Sequence, residues 1–230
     1  LLMSKFKLKF PIIVILLYHS ITDKESSDRY TLPTSIFNEQ MKYLNENFKI
    51  IRVCDLKSML SSGCHNENIA CVTFDDGRLD NYEVALPILE RYNIKATFFI
   101  VTNFVGKPVP MNFTRRTEFM SWEHIIELSD KGHEIGSHSI SHPNLLNLPL
   151  DTARREIMMS KKKIEENIAG EVMSFAYPYG KYNEVIKKEV KLAGYENAVI
   201  VCGKNISVKR IDWLALPRIE IKPNMELHDL

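Results

Sequence analysis

Ile69-Ala70-Cys71-Val72-Thr73-Phe74-Asp75-Asp76-Gly77 reads as a short apolar run followed at once by two adjacent carboxylates and a glycine. An apolar run of this length bounded by a turn signal fits a buried strand. Successive side chains at a strand end point to different sides, so Asp75 and Asp76 need not share one task. One can ligate a cation while the other faces a water molecule. Gly77 lets the backbone turn sharply or approach a ligand closely. An ordinary surface turn explains the same three residues equally well, so the string requires a second cluster before it carries chemistry.

Outward from this run, strand-like and helix-like stretches alternate. Ile12 to Leu17 reads as a strand, and Ser35 to Phe48 as an amphipathic helix behind a Thr34/Ser35 cap, with Ile36, Phe37, Met41, Leu44 and Phe48 at helical spacing. Lys49 to Val53 reads as strand, Asp55 to Leu60 as a short helix, Tyr82 to Tyr92 as helix and Ala96 to Val101 as strand. A loop with Gly106, Pro108 and Pro110 follows. Ser121 caps a helix to Lys131, and Glu134-Ile135 begins another strand. Thr152 to Asn167 is a long helix with a basic solvated face. Val172 to Ala176, Ala198 to Val201 and Arg218 to Ile221 complete the strands, and Asn183 to Leu192 is a helix closed by Gly194. Short buried strands alternating with helices imply an α/β fold with a parallel sheet, and about seven units suit a closed or nearly closed barrel whose chemistry sits at strand C-terminal ends.

No repeat, low-complexity tract or linker interrupts residues 1–230, which predicts one continuous domain. Thirty basic against 29 acidic residues leave a formal charge of +1, so no overall field would gather nucleic acid or an anionic membrane. Cys54, Cys64, Cys71 and Cys202 form no C-x-x-C pair and read as free thiols. Lys5, Lys7 and Lys9 before the apolar Phe10 to Leu17 imitate a secretory leader. That run is far shorter than the ~20 residues of a membrane span, and no small-residue cleavage site follows it. The expectation is a buried strand, no transmembrane segment and a cytoplasmic chain; nothing points to a protein partner.

The second cluster is Ser137-His138-Ser139-Ile140-Ser141-His142-Pro143, after the strand-like Glu134-Ile135-Gly136. Two histidines four apart reach one metal if the chain makes a single turn between them. Pro143 disfavours helix at His142, and no glutamate flanks either histidine, so a base must come from elsewhere. Asp76, His138 and His142 together make a three-ligand set with positions left open for water and substrate. A divalent cation there acidifies water and polarises a carbonyl oxygen, with Asp75 placed to accept the proton. Two imidazoles and a carboxylate also hold iron(II) in oxygenases, although an adjacent base suits hydrolysis better.

The order Thr73-Phe74-Asp75-Asp76-Gly77, then His138 to His142, then Phe175-Ala176-Tyr177-Pro178-Tyr179-Gly180 resembles the polysaccharide deacetylase family, carbohydrate esterase family four, from about Ile12 to Ile221. The resemblance implies a distorted (β/α)7-type barrel and a zinc-like cation, with cobalt or nickel as alternatives, on Asp76, His138 and His142. It implies Asp75 as general base, the Tyr179 backbone N–H as oxyanion donor and an N-acetylated saccharide as substrate. Leu17-Tyr18-His19-Ser20-Ile21 is similar to the Tyr-His motif of the poly-N-acetylglucosamine deacetylase branch, which makes His19 the general acid. Its position after a buried strand supports that role independently, since an imidazole can supply a proton near neutral pH. Leu227-His228-Asp229 imitates the usual C-terminal acid motif, and His228 is the fallback.

One departure stands out: Ala176 occupies the position where common members carry an arginine that steadies the base. Arg218, in Leu216-Pro217-Arg218-Ile219, is a candidate to supply that charge, or a surface ion pair. Without such a charge the chain would suit a catalytically silent sugar-binding protein. His65, His124 and His133 read as loop, helix and core residues, and Trp122 and Trp213 as packing side chains that could also stack on a sugar. The glycan itself is open among chitin-like oligomers, peptidoglycan, poly-N-acetylglucosamine and lipid- or nucleotide-linked intermediates.

Overall fold

The computed structural model describes residues 11–24, 30–62, 67–107, 118–207, 210–223 and 225. Along them run β1 (Ile13–Tyr18), β2 (Ser20–Ile21), β3 (Thr31–Leu32), α1 (Thr34–Asn47), β4 (Lys49–Ile50), α2 (Leu56–Ser61), β5 (Ile69–Phe74) and α3 (Leu86–Arg91). Then come β6 (Thr97–Ile100), α4 (Trp122–Asp130), β7 (Glu134–Ser137), α5 (Leu150–Glu165), β8 (Ser174–Ala176), α6 (Glu184–Leu192), β9 (Asn197–Val201) and β10 (Leu216–Glu220). Lys5, Lys7, Lys9, Phe10, Cys64, His65, Pro108, Pro110 and His228 lie outside the described residues, and with them the leader-like basic stretch and the fallback acid.

β1 closes the sheet, pairing in parallel with β5 on one side (Ile13↔Ile69 through Tyr18↔Phe74) and with β10 on the other (Leu16↔Ile219). The ring runs β1-β10-β9-β8-β7-β6-β5 and back to β1, a closed seven-strand parallel barrel with helices around it. Its distortion has a local cause. The far edge of β5 is shared, because β4 pairs with its first half (Lys49↔Ile69, Ile50↔Ala70) and β6 with its second (Thr73↔Thr97, Phe74↔Phe98). β4 therefore stops at Ile50, not Val53 as its composition predicts, and the chain turns into a 3-10 segment at Val53–Asp55.

Every strand splits its side chains by the two-residue period. Val14, Leu16, Tyr18, Val72, Phe74, Phe98, Ile100 and Phe175 pack against helix residues such as Phe37, Met41, Leu44, Leu128 and Ile157. Ile13, Ile15, Ile69, Cys71, Phe99, Ala176, Val199 and Leu216 form a second cluster, which fills the barrel. Phe74 stacks on Phe98 at 4.9 Å, and the Tyr18 hydroxyl donates to Gln40 at 3.0 Å. Trp122 and Trp213 pack against the two clusters, partly buried.

Other boundaries shift for identifiable reasons. Pro33 and Pro149, with fixed φ, stand at the N-caps of α1 and α5, so the helices begin before the predicted Ser35 and Thr152. A π-turn over Asn81–Ala85 precedes α3, which starts later than Tyr82. The two-residue β2–β3 pairing, Ser20↔Thr31 and Ile21↔Leu32, is too short to show a periodicity in sequence. Cys54, Cys71 and Cys202 are free thiols. Among the described residues no helix is long and apolar enough to cross a membrane.

Candidate active site

The inward registers of four strands converge at one end of the barrel. Thr73 faces inward on β5, so Asp75, two residues on, continues that face; His19 extends the face of Ile13 and Ile15, His138 that of Gly136, and Arg218 that of Leu216. The main chain reinforces the alignment, since the Asp75 N–H donates to Tyr18 O at 3.1 Å and the His138 N–H to Ile100 O at 2.9 Å.

Asp75 is 3% exposed, and both its oxygens are gripped by a single guanidinium: Arg218 Nη1 to Oδ1 and Nη2 to Oδ2, each 2.7 Å. Arg218 is wholly buried, donates to Thr73 Oγ1 at 3.2 Å and lies over the Phe99 ring. This is the bidentate geometry that arginine alone provides. Burial by itself would raise the Asp75 carboxyl; Arg218, with His138 and His19 nearby, outweighs it and holds the group below the usual carboxylate range. The surface-pair reading of Arg218 is thereby excluded, and the guanidinium missing at Ala176 arrives from β10.

Asp76 leaves the strand direction through a left-handed backbone (φ 74°), followed by Gly77 at the same φ. Its Oδ2 accepts from buried Arg78, Nη2 at 3.1 Å and Nε at 3.3 Å. Its Oδ1 faces His138 Nε2 at 3.9 Å and His142 Nε2 at 3.8 Å, and the two imidazole nitrogens are 3.1 Å apart. Here too burial opposes ionisation, and Arg78 followed by the three histidines keeps the carboxyl far below its ordinary value.

The donor set fits a cation on internal grounds. His138 Nδ1 lies 2.8 Å from the Ala176 carbonyl, an acceptor only, so Nδ1 carries the proton and Nε2 presents its lone pair toward His142 and Asp76. Two imidazole nitrogens sharing a tetrahedral ion at ~2.05 Å stand about 3.3 Å apart, close to the separation here. Asp76, His138 and His142 form a group able to hold a metal ion. Four of the five non-glycine residues with positive φ among the described residues, Asp76, Ser139, His142 and Tyr179, line this region. Such backbone outliers persist where the surroundings over-determine them and gather at functional sites.

His19 follows β1 beside Asp75 and packs against Tyr30 with the rings tilted and their centroids 4.8 Å apart. Burial lowers it to about 4, while Asp76 and Asp75 pull it upward and Arg78 and Arg218 push it down. Asn81 Nδ2 grips its carbonyl at 2.6 Å. Tyr179 occupies a 3-10 turn over Pro178–Gly180 with its ring exposed and packed edge-on against His142, 4.6 Å between centroids. Gly180 is required there, because a Cβ would stand 2.7 Å from the Val201 nitrogen. Among the described residues the two remaining histidines have structural partners: His133 Nδ1 accepts from Ala96 N–H at 3.1 Å, and His124 Nδ1 from Ser121 N–H at 3.2 Å. Arg78 and Glu156 carry no motif that marks them in the sequence. Arg78 had one weak signal, a basic residue two positions after a carboxylate.

A closed parallel barrel with a buried carboxylate–imidazole cluster at its strand C-terminal ends defines the protein as an α/β-barrel enzyme of the hydrolytic type. The family description "polysaccharide deacetylase" matches residues 62–198, and the chain belongs to that family. It is 32% identical over 165 residues to the peptidoglycan-N-acetylglucosamine deacetylase of Bacillus cereus, covering 71% of this chain and 53% of that protein. It is 27% identical over 222 residues to the poly-beta-1,6-N-acetyl-D-glucosamine N-deacetylase of Staphylococcus aureus, covering 92% of this chain and 74% of that one. Among solved structures, the Streptococcus pyogenes deacetylase PplD in complex with acetate superposes with a TM-score of 0.83 at 24% identity, over 95% of this chain and 96% of that one, a likeness of fold.

Proposed function

We propose that this chain hydrolyses the N-acetyl amide of an N-acetylglucosamine unit in a polysaccharide, releasing acetate, with a divalent cation held by Asp76, His138 and His142. The observation that carries the reading is the meeting of one Asp76 oxygen and two imidazole nitrogens beside a second carboxylate, Asp75, whose two oxygens are both bound by Arg218 and one of which stands 3.7 Å from His138 Nε2. Both curated relatives described above are N-acetylglucosamine deacetylases by name, which favours that sugar. When bound, the cation supplies Lewis acidity, acidifying water and polarising the acetyl carbonyl oxygen.

The chain's own groups do the rest. Asp75, kept ionised by Arg218, accepts the proton of the attacking water. The Tyr179 N–H, presented by a left-handed turn, is the donor toward the developing oxyanion. His19 protonates the departing amine nitrogen. Because burial holds His19 at about 4, it is neutral in the resting site at neutral pH; it takes one proton from solvent and passes it to the amine, and Asp75 returns the proton of the attacking water to solvent as acetate leaves. With Arg218 bound to both Asp75 oxygens, the catalytically silent alternative loses the departure that suggested it. The test is acetate release from N-acetylglucosamine oligomers by chelator-treated protein, before and after adding zinc, cobalt or iron(II). Release restored by zinc or cobalt supports the reading; oxygen consumption restored by iron alone, or no acetate with any ion, refutes it.

A further inference from the structure

The turn that carries both histidines is held by a residue the reaction itself does not use. The N–H groups of Ile140 and Ser141 both donate to Glu156 Oε2 at 2.9 Å, and the Ser141 hydroxyl donates to Glu156 Oε1 at 2.7 Å. The next N–H, of His142, goes to Ser139 Oγ at 3.0 Å. Three successive main-chain donors are thus satisfied by side-chain oxygens, two of them by one carboxylate. From the other side, Thr102 and Asn103 donate to the carbonyls of Ser139 and Ile140 at 3.3 and 2.8 Å.

This accounting matters because Ser139 and His142 are left-handed, φ 67° and 59°, a backbone state that non-glycine residues keep only when fixed from outside. Glu156 can fix it. It projects from α5, whose buried Ile157 and Ser160 face the barrel, and Ser160 Oγ accepts at 2.7 Å from the Oγ of Ser137, the last residue of β7 before His138. One rigid helix therefore touches the strand leading into the turn and the turn itself.

We propose that Glu156 is a positioning residue for the cation: its carboxylate holds the 139–142 turn in the shape that brings His142 Nε2 to His138 Nε2 and Asp76. The inference rests on the reading of those three residues as the ligand set. The prediction is specific about chemistry. A glutamine at 156 keeps an oxygen that accepts both N–H groups, and its amide N–H can donate to Ser141 Oγ, so the turn survives. Alanine leaves two N–H groups without their acceptor.

The test is cobalt(II) titration of chelator-treated full chain, read by visible absorption and by zinc competition, in the parent, Glu156→Ala, Glu156→Gln and His142→Ala. Circular dichroism in chelator accompanies each variant. The expected result is a cobalt affinity lowered about 10- to 100-fold in Glu156→Ala and within about 10-fold of the parent in Glu156→Gln, against unchanged circular dichroism. Parent-like affinity in Glu156→Ala overturns the inference, as does a Glu156→Gln variant as weak as the alanine. A parent that binds no cobalt overturns the ligand-set reading and this inference with it, whereas a binding parent with an indifferent Glu156→Ala overturns this inference alone.

Discussion

Asp75 and Asp76 are neighbours in sequence, both buried, both held ionised against the cost of burial, and each faces an arginine; the difference lies in which oxygens the arginine takes. Arg218 binds both oxygens of Asp75, whereas Arg78 binds Asp76 at Oδ2 while Oδ1 of Asp76 faces both imidazoles; Asp75 faces only one of them, His138, Oδ2 to Nε2 at 3.7 Å. The left-handed step at Asp76 is what separates them. Two identical side chains thus receive different tasks from the backbone and from two cations supplied by different parts of the chain. The string of residue types suggests those two tasks, but by itself does not show which arginine serves which carboxylate.

The comparison can be broken most severely on the Asp76 side. Asp76→Ala should abolish both stoichiometric zinc uptake, measured by elemental analysis after reloading, and acetate release; zinc retained at the parent level contradicts the division of labour. On the other side, Arg218→Met leaves a buried Asp75 without its counter-charge. It should destabilise the fold by about 3–5 kcal/mol in denaturant melts, and it should raise the apparent pKa on the acid limb of activity, since Arg218 is the main influence lowering Asp75.

A smaller effect separates imidazoles from carboxylates by pH. Burial lowers His19, His133 and His142 to about 4, with a further push on His142 from His138. In chelator, the unfolded chain therefore binds more protons than the folded one between about pH 6.5 and pH 4, and stability falls as the pH drops through that window. The depressed Asp75 and Asp76 contribute stability that is present above about pH 4 and lost below it. Thermal melts at graded pH should show both phases, and a flat profile from about pH 7 to 4 contradicts the burial argument. The smallest effect is expected for Tyr179→Phe, which keeps the backbone N–H and removes only a hydroxyl from an exposed ring; kcat should stay within about 2-fold, in line with other surface substitutions.

Much of this site is legible in sequence, because strand period carries it. Once Ile69–Phe74 is a strand, Asp75 lies on the face of Thr73 and Cys71, and the same arithmetic places His19 and His138. What sequence leaves undecided depends on contacts between distant stretches. Arg218 lies 143 residues from Asp75, and only the register of β10 against β9 and β1 shows that its guanidinium enters the barrel and does not reach solvent. The role of Glu156 is not legible in sequence because its partners are mostly main-chain N–H groups, which nearly every residue type offers. Lys49–Val53 has strand composition throughout, yet the competition of β6 for the β5 edge ends its pairing at Ile50.

The most direct measurement is the cobalt affinity and kcat of Asp75→Asn beside the parent. Because both oxygens of Asp75 are bound by Arg218, although one stands 3.7 Å from His138 Nε2, the variant should bind cobalt as the parent does while kcat falls by about 10²- to 10⁴-fold, the usual worth of a positioned base. A variant that loses the ion, or that releases acetate at the parent rate, contradicts the account.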